Sequence, residues 1–219
     1  ETYDEWLNKQ EERTKNWLLA TEFDGKGFRI LPAQDGGVSK IIYGVDSNYD
    51  YFVAGDLPTL LPAGQYYIDG YPAELSPIES QKFILEFAIT WGLASYSYDR
   101  YKKDKKTLPI LAVPNESIAE NALKTISSIY LVRDMINCPA SDLMPKDISN
   151  IVDDLSKNHP GIAAKHIIGD DLLTQNFPTI HAVGRASIHE PRLIDFTWGN
   201  PSHPKVTLVG KGVCFDSGG

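Results

Sequence analysis

A lysine and an aspartate five residues apart, set among glycines, are the side chains of this sequence best placed to do chemistry. They are Lys211 and Asp216 in the segment Lys205–Gly219, KVTLVGKGVCFDSGG. Gly210 and Gly212 bracket the lysine, Gly218 and Gly219 follow the aspartate, and glycine lets such a loop fold sharply. Val206–Val209 just before it is apolar and β-branched, the composition of a strand buried on both faces in a parallel sheet. Ligands in open α/β sheets gather beyond the carboxyl ends of strands, so this loop is where a site is expected. A surface salt bridge is the ordinary alternative for such a pair. Ser217 does not sit on a nucleophile elbow, because G-x-S-x-G would need glycine where Phe215 stands. A phosphate-cradling loop would follow its lysine with Ser or Thr, and Gly212 follows Lys211. Cys214, between Val213 and Phe215, reads as a packed thiol.

VGKGVCFDSGG resembles the signature of the leucine (cytosol) aminopeptidase family, two-metal exopeptidases. The resemblance implies that Lys211 and Asp216 are metal ligands, the lysine on one metal through its amine and the aspartate bridging both. The chemistry is coherent: an amine ligates only after losing its proton, and a carboxylate has two hard oxygens to share. It further implies two divalent ions, zinc or manganese, that activate a water against the first peptide carbonyl of substrates with a free N-terminus. A homo-hexamer is implied in the same way. RDMINCPASDLMP, AVGRAS and EPRLIDFTW, within Arg133–Trp198, resemble further elements of the family, so the likeness is fuller in the second half than in the first. The family's remaining ligands, its catalytic lysine and its anion-binding arginine would lie beyond Gly219. The chain alone is therefore expected to be catalytically inert, whereas the parent protein is expected to be an aminopeptidase. A binding or assembly module with an incomplete metal site is the alternative from another class.

The elements that must position these residues follow from periodicity. Tyr3–Leu19 carries apolar residues at helical spacing and predicts one amphipathic helix. Strands are expected at Gly27–Leu31, Ser39–Val45 and Gln65–Asp69, and a helix at Ser80–Ala94. A strand is expected at Thr107–Val113, followed by Pro114. The longest helix should open at Asn115–Glu120, with Ser117 and Glu120 spaced as a capping box, and stop before Cys138-Pro139. Pro145 suits the first turn of a helix bearing Ile148, Ile151, Val152 and Leu155. Then come expected strands at Ile162–Ile167, Thr179–Val183 and Arg192–Trp198, with a short helix from Asp170. His181 reads as a sheet or core histidine rather than a ligand.

The expected fold class is α/β: a small N-terminal α/β domain over 1–113, then a connecting helix and the start of a doubly wound catalytic α/β domain over 114–219. With 219 residues, 42% of them hydrophobic, the chain can build a proper core. A net charge of −8 argues against general affinity for nucleic acid or an anionic membrane, and the basic run Arg100–Lys106 reads as a solvated connection. Two distant cysteines and no long apolar stretch make the reducing cytoplasm the expected location.

Overall fold

The computed structural model describes residues 2–45, 52–53, 55–70, 75–104 and 106–214, which form two compact units, Glu1–Leu131 and Val132–Gly219.

The first unit begins with two helices where the apolar spacing predicts one: α1 (Tyr3–Asn8) and α2 (Glu12–Ala20). Glu11 between them is extended, with ψ 148°. In one continuous helix Leu7 and Leu18 would stand about 16 Å apart along the axis. The break instead lets Tyr3, Trp6 and Leu7 join Leu18, Phe23 and Leu31 in a single cluster. That cluster seats both helices on a hairpin of β1 (Gly27–Pro32) and β2 (Val38–Gly44), paired antiparallel with Gly27 opposite Gly44. The hairpin turns where Asp35-Gly36-Gly37 predicts: Gly36 takes φ +88°, and the Asp35 carboxylate accepts from the Gly37 N–H at 3.0 Å.

A short helix, α3 (Leu57–Leu60), precedes β3 (Gln65–Tyr67), α4 (Pro77–Ala94) and β4 (Ile110–Ala112). β3 and β4 are parallel, Gln65 opposite Ile110, so α4 is the crossover helix of a strand–helix–strand unit. β4 is shorter than Thr107–Val113 because Pro109 has no N–H for the ladder. The Pro109 carbonyl accepts instead from the Trp91 indole N–H, at 3.3 Å. Trp91, Leu57 and Leu61 form the central core, packed by Phe28, Ile30, Ile41 and Tyr43 of the hairpin and by Tyr66, Phe87 and Leu111.

Ser76 caps α4. Its N–H and hydroxyl donate to one Glu79 carboxylate oxygen at 2.8 and 2.6 Å, while its hydroxyl accepts from the Glu79 N–H at 3.4 Å. The long helix α5 (Glu116–Asn137) follows. Its cap is Asn115, whose side-chain oxygen accepts from the N–H groups of Ser117 (2.8 Å) and Ile118 (3.4 Å), rather than the Ser117–Glu120 box expected from spacing. Asn115 takes the role because one amide oxygen there reaches two N–H groups. Ile118 and Ala122 of α5 are buried against Phe83, Ile84, Ala88 and Ile89 of α4.

The second unit runs through α6 (Pro145–Asn158), β5 (Ala163–Ile168), α7 (Asp171–Thr174), α8 (Pro178–Gly184) and β6 (Arg192–Thr197). β5 and β6 pair antiparallel, Ala163 opposite Thr197 and Ile168 opposite Arg192. Thr179–Val183, expected as a strand, is α8 instead. Pro178 supplies the fixed φ of a first helical turn, and a short apolar run does not itself distinguish strand from helix. Among the described residues the strands form three two-stranded sheets. No helix among the described residues is long and apolar enough to cross a membrane.

Two measurements test this packing. Trp91→Ala empties the middle of the central core and is expected to destabilise the first unit by about 3–5 kcal/mol in urea unfolding. The Glu79 carboxyl is held below its usual range by the Ser76 side-chain and backbone hydrogen bonds. Its contribution to stability is therefore present above the ordinary glutamate range and lost as pH falls through the depressed value. Ser76→Ala should flatten that acid limb of the stability–pH profile.

Candidate functional site

After β6 the chain leaves regular structure. Val206–Val209, expected as a strand buried on both faces, has no strand assignment and is open to solvent: Val206 is 84% exposed, Leu208 92% and Val209 90%. A strand of a parallel sheet needs a paired neighbour and cover on both faces. Among the described residues β6 pairs with β5 alone, so the apolar run has no ladder to join.

Lys211 lies on this exposed stretch. Asp216 falls outside the described residues, so the expected convergence of the two side chains has no geometry to report. Of the two expected ligands, the described part of the segment holds only the Lys211 amine, and this does not by itself fit a metal pair. Among the described residues no group of three or more His, Cys, Asp or Glu is placed to hold a metal ion.

Cys214 is the residue of the segment with a defined environment. Burial pushes its thiol up from the ordinary value, and the negative charge of Asp147 in the first turn of α6 adds to the effect. This fits the packed thiol expected from its apolar neighbours.

Chemistry-bearing side chains do gather at the carboxyl end of β5. A polar cleft of about 370 Å³ is lined by Gly169, Asp170, His181, Arg185, Ser187 and Glu190, among others. His181 there is a partly buried side chain on α8 that shares a hydrogen bond with Asp170 at 3.1 Å. It is neither in a sheet nor in a ligand cluster among the described residues. Sequence spacing gave no sign of this pairing, because eleven residues and a change of helix separate its members.

Two family models match. The N-terminal domain of M17 aminopeptidases covers residues 1–114, and the catalytic domain of the cytosol aminopeptidase family covers 130–219. The chain belongs to the M17 family. It is 34% identical over 145 residues to a probable cytosol aminopeptidase of Chlamydia abortus, an alignment that takes in 60% of this chain and 29% of that protein. A Corynebacterium glutamicum relative of the same description is 33% identical over 146 residues, again 29% of its length. The crystal structure of cytosol aminopeptidase from Coxiella burnetii matches 99% of this chain and 46% of its own, with TM-score 0.84 and 34% identity. The M17 chain is therefore α/β, with the N-terminal domain followed by the start of the doubly wound catalytic domain, and it spans less than half of these relatives. The bottromycin maturation enzyme BotP in complex with Mn shares the fold at 21% identity and TM-score 0.69, over 84% of this chain and 42% of its own.

The exposed segment makes a direct prediction. Limited trypsin digestion of the 219-residue chain should cut first after Lys205 and Lys211, before any site within α4 or α5, as read by intact-mass spectrometry. Protection of both lysines would show that the segment is covered.

Proposed function

We propose that the protein to which this chain belongs is an aminopeptidase that releases N-terminal residues from peptides, and that Lys211 and Asp216 are two of its metal ligands. The observation that carries this reading is the catalytic-domain match over 130–219, which includes the whole VGKGVCFDSGG segment. In the proposal the cofactor is a pair of divalent ions, zinc or manganese, which when bound supply an activated water and a Lewis acid. The manganese held by BotP, a protein of this fold, makes manganese the first ion to test.

This chain's own contribution is positional. Gly210 and Gly212 leave the backbone beside Lys211 without side-chain bulk, so its amine can approach an ion from a close-running loop. An ammonium has no lone pair, so Lys211 ligates only as the neutral amine, and giving up its proton opposes binding. Lys211 and Asp216 alone do not offset that, and further carboxylates have to hold the ion against the amine.

The reading also includes a homo-hexameric, cytoplasmic assembly, and a functional boundary between 113 and 114 with α5 as connector. The N-terminal family match, ending at 114, supports that boundary.

The test compares the 219-residue chain with a form extended through a complete M17 catalytic domain, using leucine p-nitroanilide hydrolysis with added manganese or zinc and calorimetry for metal affinity. The expected result is turnover and tight metal binding by the extended form alone. Asp216→Asn in that form should lower kcat/KM by at least about 100-fold, since loss of even an outer-shell partner costs 10–100-fold. Turnover by the short chain would overturn the ligand roles given to Lys211 and Asp216. Silence from both forms would favour a binding or assembly module.

A further inference from the structure

Between α6 and the β5–β6 hairpin lies a polar group of side chains. Ser149 and Asp153 stand one turn apart on α6 and face the hairpin: Asp153 shares a hydrogen bond with the His166 Nε2 at 2.8 Å, and the Ser149 hydroxyl accepts from the Arg192 Nη1 at 3.1 Å. Ser149 is 4% exposed. Two nitrogens of this group, His166 Nδ1 and Arg192 Nε, are fully buried without a protein partner.

The sheet register brings these two nitrogens to one place. Ile194 is opposite His166 and Ile168 is opposite Arg192, so His166 and Arg192 are diagonal neighbours on the same face. Diagonal neighbours in an antiparallel pair have backbones about 7–8 Å apart. Both side chains bond to the same helix, at Asp153 and Ser149, and one bridging oxygen spans about 5.6 Å at two ordinary hydrogen-bond lengths. Leaving either buried nitrogen unsatisfied is costly, and native structures resolve such cases with ordered water.

We infer that a single internal water bridges His166 Nδ1 and Arg192 Nε, completing a chain of hydrogen bonds from Asp153 through His166, the water and Arg192 to Ser149. The chemistry selects water over an ion. Arg192 Nε can only donate, so the bridging atom accepts from it. Asp153 and Arg192 already supply one charge of each sign to the group, so a further anion or cation beside the two buried nitrogens would lack a compensating charge. Water is neutral, and it can donate to a bare Nδ1 or accept from a protonated one.

The test is a high-resolution crystal structure of the unaltered protein grown in bromide, with anomalous data, together with water–protein cross-relaxation to the His166 ring in solution. The expected result is one oxygen within about 3.2 Å of both nitrogens, no anomalous peak there, and a cross-peak from a long-lived water to the ring. Arg192→Met removes one of the two anchors and should abolish that cross-peak while the hairpin amide resonances persist. Bromide at the position, a side chain rotated to pair either nitrogen, or separate waters on the two atoms would each overturn the inference.

Discussion

The first unit depends on burying Trp91. Its ring is in a cluster where the hairpin, α3, α4 and the parallel strand pair meet, and among the described residues its N–H donates to the Pro109 carbonyl. A buried indole without an acceptor would forfeit part of what its apolar area contributes. Pro109 serves because it lacks an N–H and cannot extend β4, which leaves its carbonyl beside the helix rather than in a ladder. The same residue thus limits a strand and satisfies the core.

In the second unit the constraint is reversed. α6 lies against the hairpin, where Ser149 and Asp153 meet Arg192 and His166; Ser149 is buried, while the Asp153 side chain is also open to solvent. Beyond β6 the sequence continues as if more sheet were to come, but the described residues provide no third strand.

Much of this was legible in the sequence because local signals and global packing agree. α4 has its helical stripe, Pro145 opens α6, Asp35-Gly36-Gly37 makes the hairpin turn, and the Lys211–Asp216 motif carries the family. The rest was decided by contacts that spacing does not encode. The break at Glu11 exists so that Leu7 and Leu18 can share a cluster, and nothing within Tyr3–Leu19 announces it. Thr179–Val183 is as apolar as a strand, and Pro178 with the surrounding turns settles it as α8. Asn115 outcompetes Ser117 as a cap through the reach of one side-chain oxygen. Val206–Val209 has the composition of a strand and was expected as one, yet it is exposed and unpaired among the described residues, because a strand is a relation between segments and composition cannot supply the partner.

The parallel pair β3–β4 has a consequence for the motions of the first unit. It consists of three residue pairs, Gln65 with Ile110, Tyr66 with Leu111 and Tyr67 with Ala112. Its ends are held together across the whole of α4, whose ordering must be complete before so short a ladder can repay its loop closure. The pair is therefore expected to form together with the helix that links it, with amide exchange at Tyr66 and Leu111 following that of the middle of α4 rather than the length of the strands.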